Sequence, residues 1–140
     1  MKNVEPYLIF DGNCEEAFTF YSEVFDAKIP FISRYKDIPD NKEIPESDMN
    51  KIVHVILPVS KQVSLMGADS TSDMKNVKGD NTYLTLNVEN EAEARRIYER
   101  LSKGGTVIMP LEKTFWAELY AMFTDKFGIH WMINYVTEKK

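Results

Sequence analysis

Apolar and polar positions along this chain follow two periods, and the switches between them mark the elements. Val4-Glu5-Pro6-Tyr7-Leu8-Ile9-Phe10 is short and rich in apolar and aromatic residues, which predicts a strand. Asp11-Gly12-Asn13 ends it, with Asn13 placed to cap a helix and Glu15 and Glu16 in the favoured first turn. Ala17, Phe18, Tyr21, Val24 and Phe25 recur at three- and four-residue spacing, so a helix is predicted over 13–25. A strand follows at 28–35. Residues 36–50 hold Pro39, Pro45 and five acids against two lysines, and read as an exposed loop. Segments 52–58 and 62–66 form a predicted hairpin around Val59-Ser60-Lys61, and 69–80 is a polar connector.

The second half repeats this order. A strand is predicted at 82–88, a helix over 90–102 and a stop at Gly104-Gly105. Strands then fit 106–109, 118–124 and 129–136, the last two joined by Asp125-Lys126-Phe127-Gly128. At an offset of 77, Asn13 matches Asn90, Glu16 matches Glu93, Ala17 matches Ala94 and Tyr21 matches Tyr98. The duplicated order and these identities predict an α+β domain built from two tandem βαβββ modules, about 1–72 and 80–140.

Length and composition agree with one globular domain: 140 residues, 44% hydrophobic and 28% charged. The net charge of −5 lies wholly in residues 1–70, which carry 7 basic and 12 acidic groups. Neither half offers the basic field that nucleic acid or an anionic membrane requires, so neither is an expected partner. One cysteine, Cys14, excludes an internal disulfide and a Cys-cluster metal site. No N-terminal leader pattern and no membrane-length apolar run is present, so a cytoplasmic protein is expected.

The stretch Pro6-Tyr7-Leu8-Ile9-Phe10-Asp11-Gly12-Asn13-Cys14-Glu15-Glu16-Ala17, running on to Phe20-Tyr21 and Val24-Phe25, resembles the opening of PhnB-like proteins. These are a branch of the vicinal-oxygen-chelate superfamily, which has the glyoxalase/bleomycin-resistance/dihydroxybiphenyl dioxygenase fold. His54 in a middle strand, Phe115-Trp116 before the penultimate strand and Asp125-x-Phe127-Gly128-x-x-Trp131 are similar to the same branch. The resemblance implies a curled mixed sheet with helices outside and a cavity inside, the cup being formed within a chain or across a dimer. It selects no reaction, because the superfamily hosts lyases, dioxygenases, isomerases and ligand binders.

Metal-dependent members place a His or Glu on the first and last strand of each module. Counting back from the helix puts the first-strand position on Pro6 and, at offset 77, on Tyr83; the last-strand positions fall near Met66 and Met132. These side chains do not make a site for a divalent cation, so no metal and no cofactor are expected. Serine-nucleophile, phosphate-loop and dinucleotide motifs are also absent.

Strand alternation sorts side chains around the cavity that the resemblance implies. Leu84, Leu86, Val88, Val53, Val55 and Leu57 suit the helix side. Tyr83, Thr85, Asn87, His54, Ile56, Glu118, Tyr120, Met122, His130, Met132 and Asn134 then face inward. Phe10, Met66 and Trp116 complete the candidate ligand contacts. Ala117 and Ala121, where relatives often carry glycine, are expected to narrow the cavity. His54 is the first candidate for proton transfer, against a purely structural histidine. Glu118 is a second candidate base, against a solvated strand-end carboxylate. His130 follows a turn and suits the rim. Trp116 and Tyr120 either stack on a planar ligand or plug the cup, and Cys14 reads as structural.

The expected function is metal-free binding of an apolar or aromatic small molecule by a homodimer. The alternatives are an isomerase or lyase acting on a small carbonyl compound through His54 or Glu118, and an interaction module whose cup is closed by its own side chains.

Overall fold

The computed structural model describes residues 1–137. The chain divides into two compact units, Met1–Val77 and Lys78–Lys140. In the first, β1 (Tyr7–Phe10) leads to α1 (Cys14–Val24), then β2 (Phe31–Arg34), β3 (Ile52–Pro58) and β4 (Ser64–Asp69). In the second, β5 (Leu84–Asn87) leads to α2 (Glu91–Leu101), then β6 (Thr106–Glu112), β7 (Leu119–Thr124) and β8 (His130–Tyr135). The order is βαβββ twice, an α+β fold. Hydrogen bonding makes two four-stranded sheets, β1-β4-β3-β2 and β5-β8-β7-β6, rather than one continuous ladder. In each, the first and last strands of the module pair in parallel and the other neighbours are antiparallel.

Each helix covers one face of its own sheet. Ala17, Phe18, Tyr21 and Val24 are buried on α1, against Leu8, Phe10, Val55, Leu57 and Leu65 of the strands. Burying aliphatic and aromatic side chains of this size stabilises by about 1.5–3 kcal/mol each. Gly67 lets the helix approach: a Cβ there would lie 2.6 Å from the Phe18 ring and 2.8 Å from the Leu8 carbonyl oxygen. On α2, Ala94, Ile97 and Leu101 are buried, and Tyr98 meets Phe123 edge to face.

Two buried carboxylates fix the ends of these elements. Asp69 Oδ1 accepts the backbone N–H groups of Gly12 and Cys14, and Oδ2 accepts that of Ile52, all at 2.9 Å. The start of α1 is therefore capped from the end of β4; the Asn13 side chain caps nothing. Asn90 does cap α2, accepting from Glu93 N at 2.8 Å. In the second unit, Asp125 Oδ1 accepts from the Phe127 and Ile129 N–H groups, and Oδ2 accepts from Trp131 Nε1 at 2.8 Å. With Gly128 at φ +91°, these bonds close the β7–β8 turn and anchor the fully buried indole of Trp131.

Several boundaries differ from expectation. β4 runs three residues past its predicted end at 66, so Asp69 belongs to a strand rather than to the connector. β6 continues past Pro110, which an edge strand tolerates because one side of its ladder is unpaired. Between Ser33 and Arg34 the β2–β3 register slips, and Ile52 rather than Val53 is buried. The 36–50 loop is mostly exposed but contains fully buried Asp48, held 2.8 Å from Lys51 Nζ and accepting from the Ser72 N–H and hydroxyl.

Candidate functional site

The chemistry-bearing side chains lie on the sheet face turned away from each helix. In the first unit, register aligns Tyr7, Met66, Ile56 and Phe31 in one row across all four strands. Ile9 pairs with Ala68 and Ser33 with His54 in the next row. The Tyr7 hydroxyl and His54 Nδ1 lie 2.9 Å apart in a hydrogen bond, with the two rings nearly parallel at 5.6 Å. Phe31 flanks the imidazole at 6.0 Å. Burial, then the proximity of Cys14 and Tyr35, raises the Tyr7 pKa, so the phenol keeps its proton at neutral pH.

Tyr7, not Pro6, occupies this position: counting back from the helix overshoots by one residue. Phe10, the last helix-facing residue of β1, stands three residues before Asn13, whereas Leu86 stands four before Asn90. One residue of difference reverses the face. Alternation within β1 itself carries the correct signal: Leu8 and Phe10 are buried, while Tyr7 and Ile9 are 45% and 40% exposed. Phe10 is thereby corrected as a ligand contact; it is 3% exposed and packs edge to face on Phe18 in the core.

In the second unit, Met109, Met122, Met132 and Thr85 form one row, and Glu112, Tyr120, Asn134 and Asn87 form the next. Thr106, Thr124 and His130 make a third, with the Tyr83 ring 5.1 Å from that of His130. The Met132 sulfur accepts from the Tyr120 hydroxyl at 3.1 Å and from Thr85 Oγ1 at 3.7 Å. His130 is committed at both nitrogens: Nε2 bonds the Gly79 carbonyl and Nδ1 bonds Thr124 Oγ1, each at 2.8 Å. A carbonyl only accepts, so Nε2 carries the hydrogen and Nδ1 of the neutral ring accepts from the hydroxyl. His130 thus clips β8 to the segment before β5.

Trp116 and Glu118 meet in a pocket of about 330 Å³ at the β6–β7 connection, also lined by Lys113, Phe115, Val136 and Thr137. Glu118 is an exposed strand-end carboxylate 3.8 Å from Lys113 Nζ, not a base enclosed by apolar walls. Ala121 is buried on the helix side with Leu119 and Phe123, so it does not narrow the open face, whereas Ala117, also buried, lines this pocket. Cys14 is fully buried, and burial, then Asp69, raises its thiol pKa, as suits a structural residue. His54 and Ile56 lie in the first unit with Met66. Tyr83, Trp116, Glu118, Tyr120, Met122, His130 and Met132 lie in the second.

These residues do not fit a divalent metal ion. The directly registered pairs on first and last strands are Tyr7 with Met66 and Thr85 with Met132, a phenol, a hydroxyl and two thioethers. Among the described residues, no three His, Cys, Asp or Glu side chains are grouped to hold a metal.

The fold and this sheet-face chemistry define a class. Residues 3–133 match the model of the Glyoxalase/Bleomycin resistance protein/Dioxygenase superfamily, and the chain belongs to it. Protein YjdN of Escherichia coli K12 is 31% identical, with 97% of each chain covered. The crystal structure of protein PA1353 from Pseudomonas aeruginosa is 36% identical and superposes with a TM-score of 0.87, covering 97% of this chain and 98% of that one. A PhnB protein from Bacillus cereus shares the fold at 24% identity and a TM-score of 0.78, over 96% and 99% of the two chains. Among the described residues no helix is long and apolar enough to cross a membrane.

Proposed function

We propose that this protein binds an apolar or aromatic small molecule without a metal ion, using the sheet faces turned away from its helices. The observation that carries this reading is the donor chemistry of the registered pairs Tyr7–Met66 and Thr85–Met132. Where metal-dependent relatives need imidazole or carboxylate, these two pairs offer a phenol, a hydroxyl and two thioethers. Thioethers are polarisable and adapt to varied apolar shapes, and a few polar groups among apolar ones suit a small-molecule site. A thermal-shift screen of the full chain against aromatic and aliphatic metabolites is expected to yield compounds whose stabilisation rises with concentration, by mass action. A broad screen in which nothing raises the melting temperature overturns the reading.

The Tyr7–His54 pair favours a second reading, an isomerase or lyase on a small carbonyl compound. In the tautomer whose Nδ1–H donates to the Tyr7 oxygen, Nε2 has a free lone pair and takes a proton. Solvent-proton exchange into carbonyl compounds, abolished in His54→Gln with the fold retained, supports it; no exchange with any of them overturns it. Glu118 has no comparable support, being solvated and paired with Lys113.

A homodimer completes the proposal. The edge strands β2 and β6 leave Phe31, Ile32, Val107, Ile108 and Met109 more than a third exposed, and such edges invite pairing. Light scattering that gives a monomer mass at micromolar concentration overturns this part.

A further inference from the structure

We infer that the pocket at the β6–β7 connection is a subsite for an organic cation, an ammonium group carried on an apolar or aromatic body. The inference rests on the small-molecule reading above and names the ligand class for one part of it. Phe115 is 96% exposed and Trp116 is 46% exposed, so two large aromatic side chains at adjacent positions forgo the gain of burial. The backbone that carries them is pinned all the same. Thr114 Oγ1 accepts the Ala117 N–H at 3.1 Å, Thr114 N–H donates to the Ala117 carbonyl at 3.1 Å, and Glu118 N–H donates to the Tyr135 carbonyl at 2.8 Å.

The rings meet edge to face. Phe115 and Trp116 have centroids 5.0 Å apart with planes at 85°, and Trp116 and Tyr120 are 5.0 Å apart with planes at 72°. Of these three rings Phe115 and Trp116 line the pocket, and the face of an aromatic ring attracts a cation. Two carboxylates stand at or beside the pocket. Glu118 lines the pocket, and Glu112 is registered opposite Tyr120 on the same sheet face. Lys113, the cation among the described lining residues, is 75% exposed and reaches Glu118 only at 3.8 Å. A ligand ammonium can take the place of that ammonium beside Glu118 while its body lies on Trp116. The volume, about 330 Å³, is at the small end of ligand sites and suits one ring with a short amine arm.

The test titrates the full chain with phenethylammonium, 2-phenylethanol and phenylacetate, which share a ring and arm but differ in charge. Tryptophan emission reports the pocket, since Trp131 is fully buried, and Trp116→Phe confirms the assignment. The ammonium is expected to bind saturably, about five-fold tighter than the alcohol, with the carboxylate weakest. Glu118→Gln weakens the ammonium about five-fold, Phe115→Ala weakens it, and Lys113→Gln tightens it by removing the competitor. Circular dichroism confirms that each variant folds. Equal binding of alcohol and ammonium, or preferred phenylacetate binding lost in Lys113→Gln, overturns the cation subsite even where other compounds still stabilise the protein. Emission that changes with protein concentration alone, and ceases to do so in Phe115→Ala, also overturns it in favour of contact between copies. Failure of every compound in the broad screen instead removes the small-molecule reading beneath it.

Discussion

Removing the carboxylate of Asp69 leaves three backbone N–H groups without their acceptor at once. Bonds to a charged acceptor contribute about 1.5–3 kcal/mol each, and the stranded donors add desolvation, so Asp69→Ala should cost about 3 kcal/mol or more. Urea denaturation should show a lower midpoint with an unchanged slope; an unchanged midpoint would show the cap to be dispensable. Asp48 makes a different prediction. The Lys51 ammonium first, then the Ser72 donors, hold its pKa below the usual carboxylate value. A depressed folded pKa contributes stability that is present above the unfolded value, near 4, and is lost as pH falls through the folded one. Acid should therefore weaken the protein in that window, and Asp48→Asn should flatten the pH dependence of the denaturation midpoint there. At this scale the sequence was only partly legible. Asp69 lies 57 residues from Gly12, so nothing local marks it as a cap, and its place in a polar run made it look like a connector. Asp125, Gly128 and Trp131 were legible as a motif, but their roles in closing a turn and anchoring an indole emerged only from the hydrogen bonds.

The two asparagines that begin the helices test how far the repeat extends. Both helices fall within one residue of their predicted limits, because apolar spacing and end signals act locally. Their caps nevertheless differ. Asn90 accepts from Glu93 N, whereas the Asn13 side chain accepts nothing and Asp69 stands in for it. Asn90→Ala should then cost about 1 kcal/mol and Asn13→Ala distinctly less, although the residues match at offset 77. Equal losses in paired denaturation curves would show that the duplicated position acts alike in both modules. The strands were less legible than the helices. β3 was expected at its observed limits, 52–58, yet the β2–β3 slip reversed the burial of Ile52 and Val53. The same sensitivity moved the first-strand position from Pro6 to Tyr7. Strand faces turn on a single residue, so an error of one in counting exchanges core for surface.

At the scale of the molecule, the duplicated βαβββ order and the superfamily were readable from the opening and closing motifs, since they rest on patterns spread along the whole chain. The candidate site was readable only as a list of side chains. Partner assignments such as Tyr7 with His54, or Tyr120 with Met132, depend on register that periodicity does not specify. Those partners sharpen the metal prediction. Imidazole and carboxylate are zinc ligands, and His54, Glu118 and His130 carry them. Each of the three already has a protein partner within its own unit: Tyr7 for His54, Lys113 for Glu118, and Thr124 with Gly79 for His130. Recruiting His130 would break two hydrogen bonds, and the registered pairs Tyr7–Met66 and Thr85–Met132 offer only phenol, hydroxyl and thioether in compensation. Zinc, nickel, manganese and iron(II) should therefore leave the melting temperature unchanged, and the purified protein should hold no stoichiometric ion. A site saturated a hundredfold above its dissociation constant would instead add about 2.7 kcal/mol, or several degrees in a chain of this length. Elemental analysis near one metal per chain, lost on His54→Ala, would show that the imidazole leaves Tyr7 for an ion and that the metal-free reading is wrong.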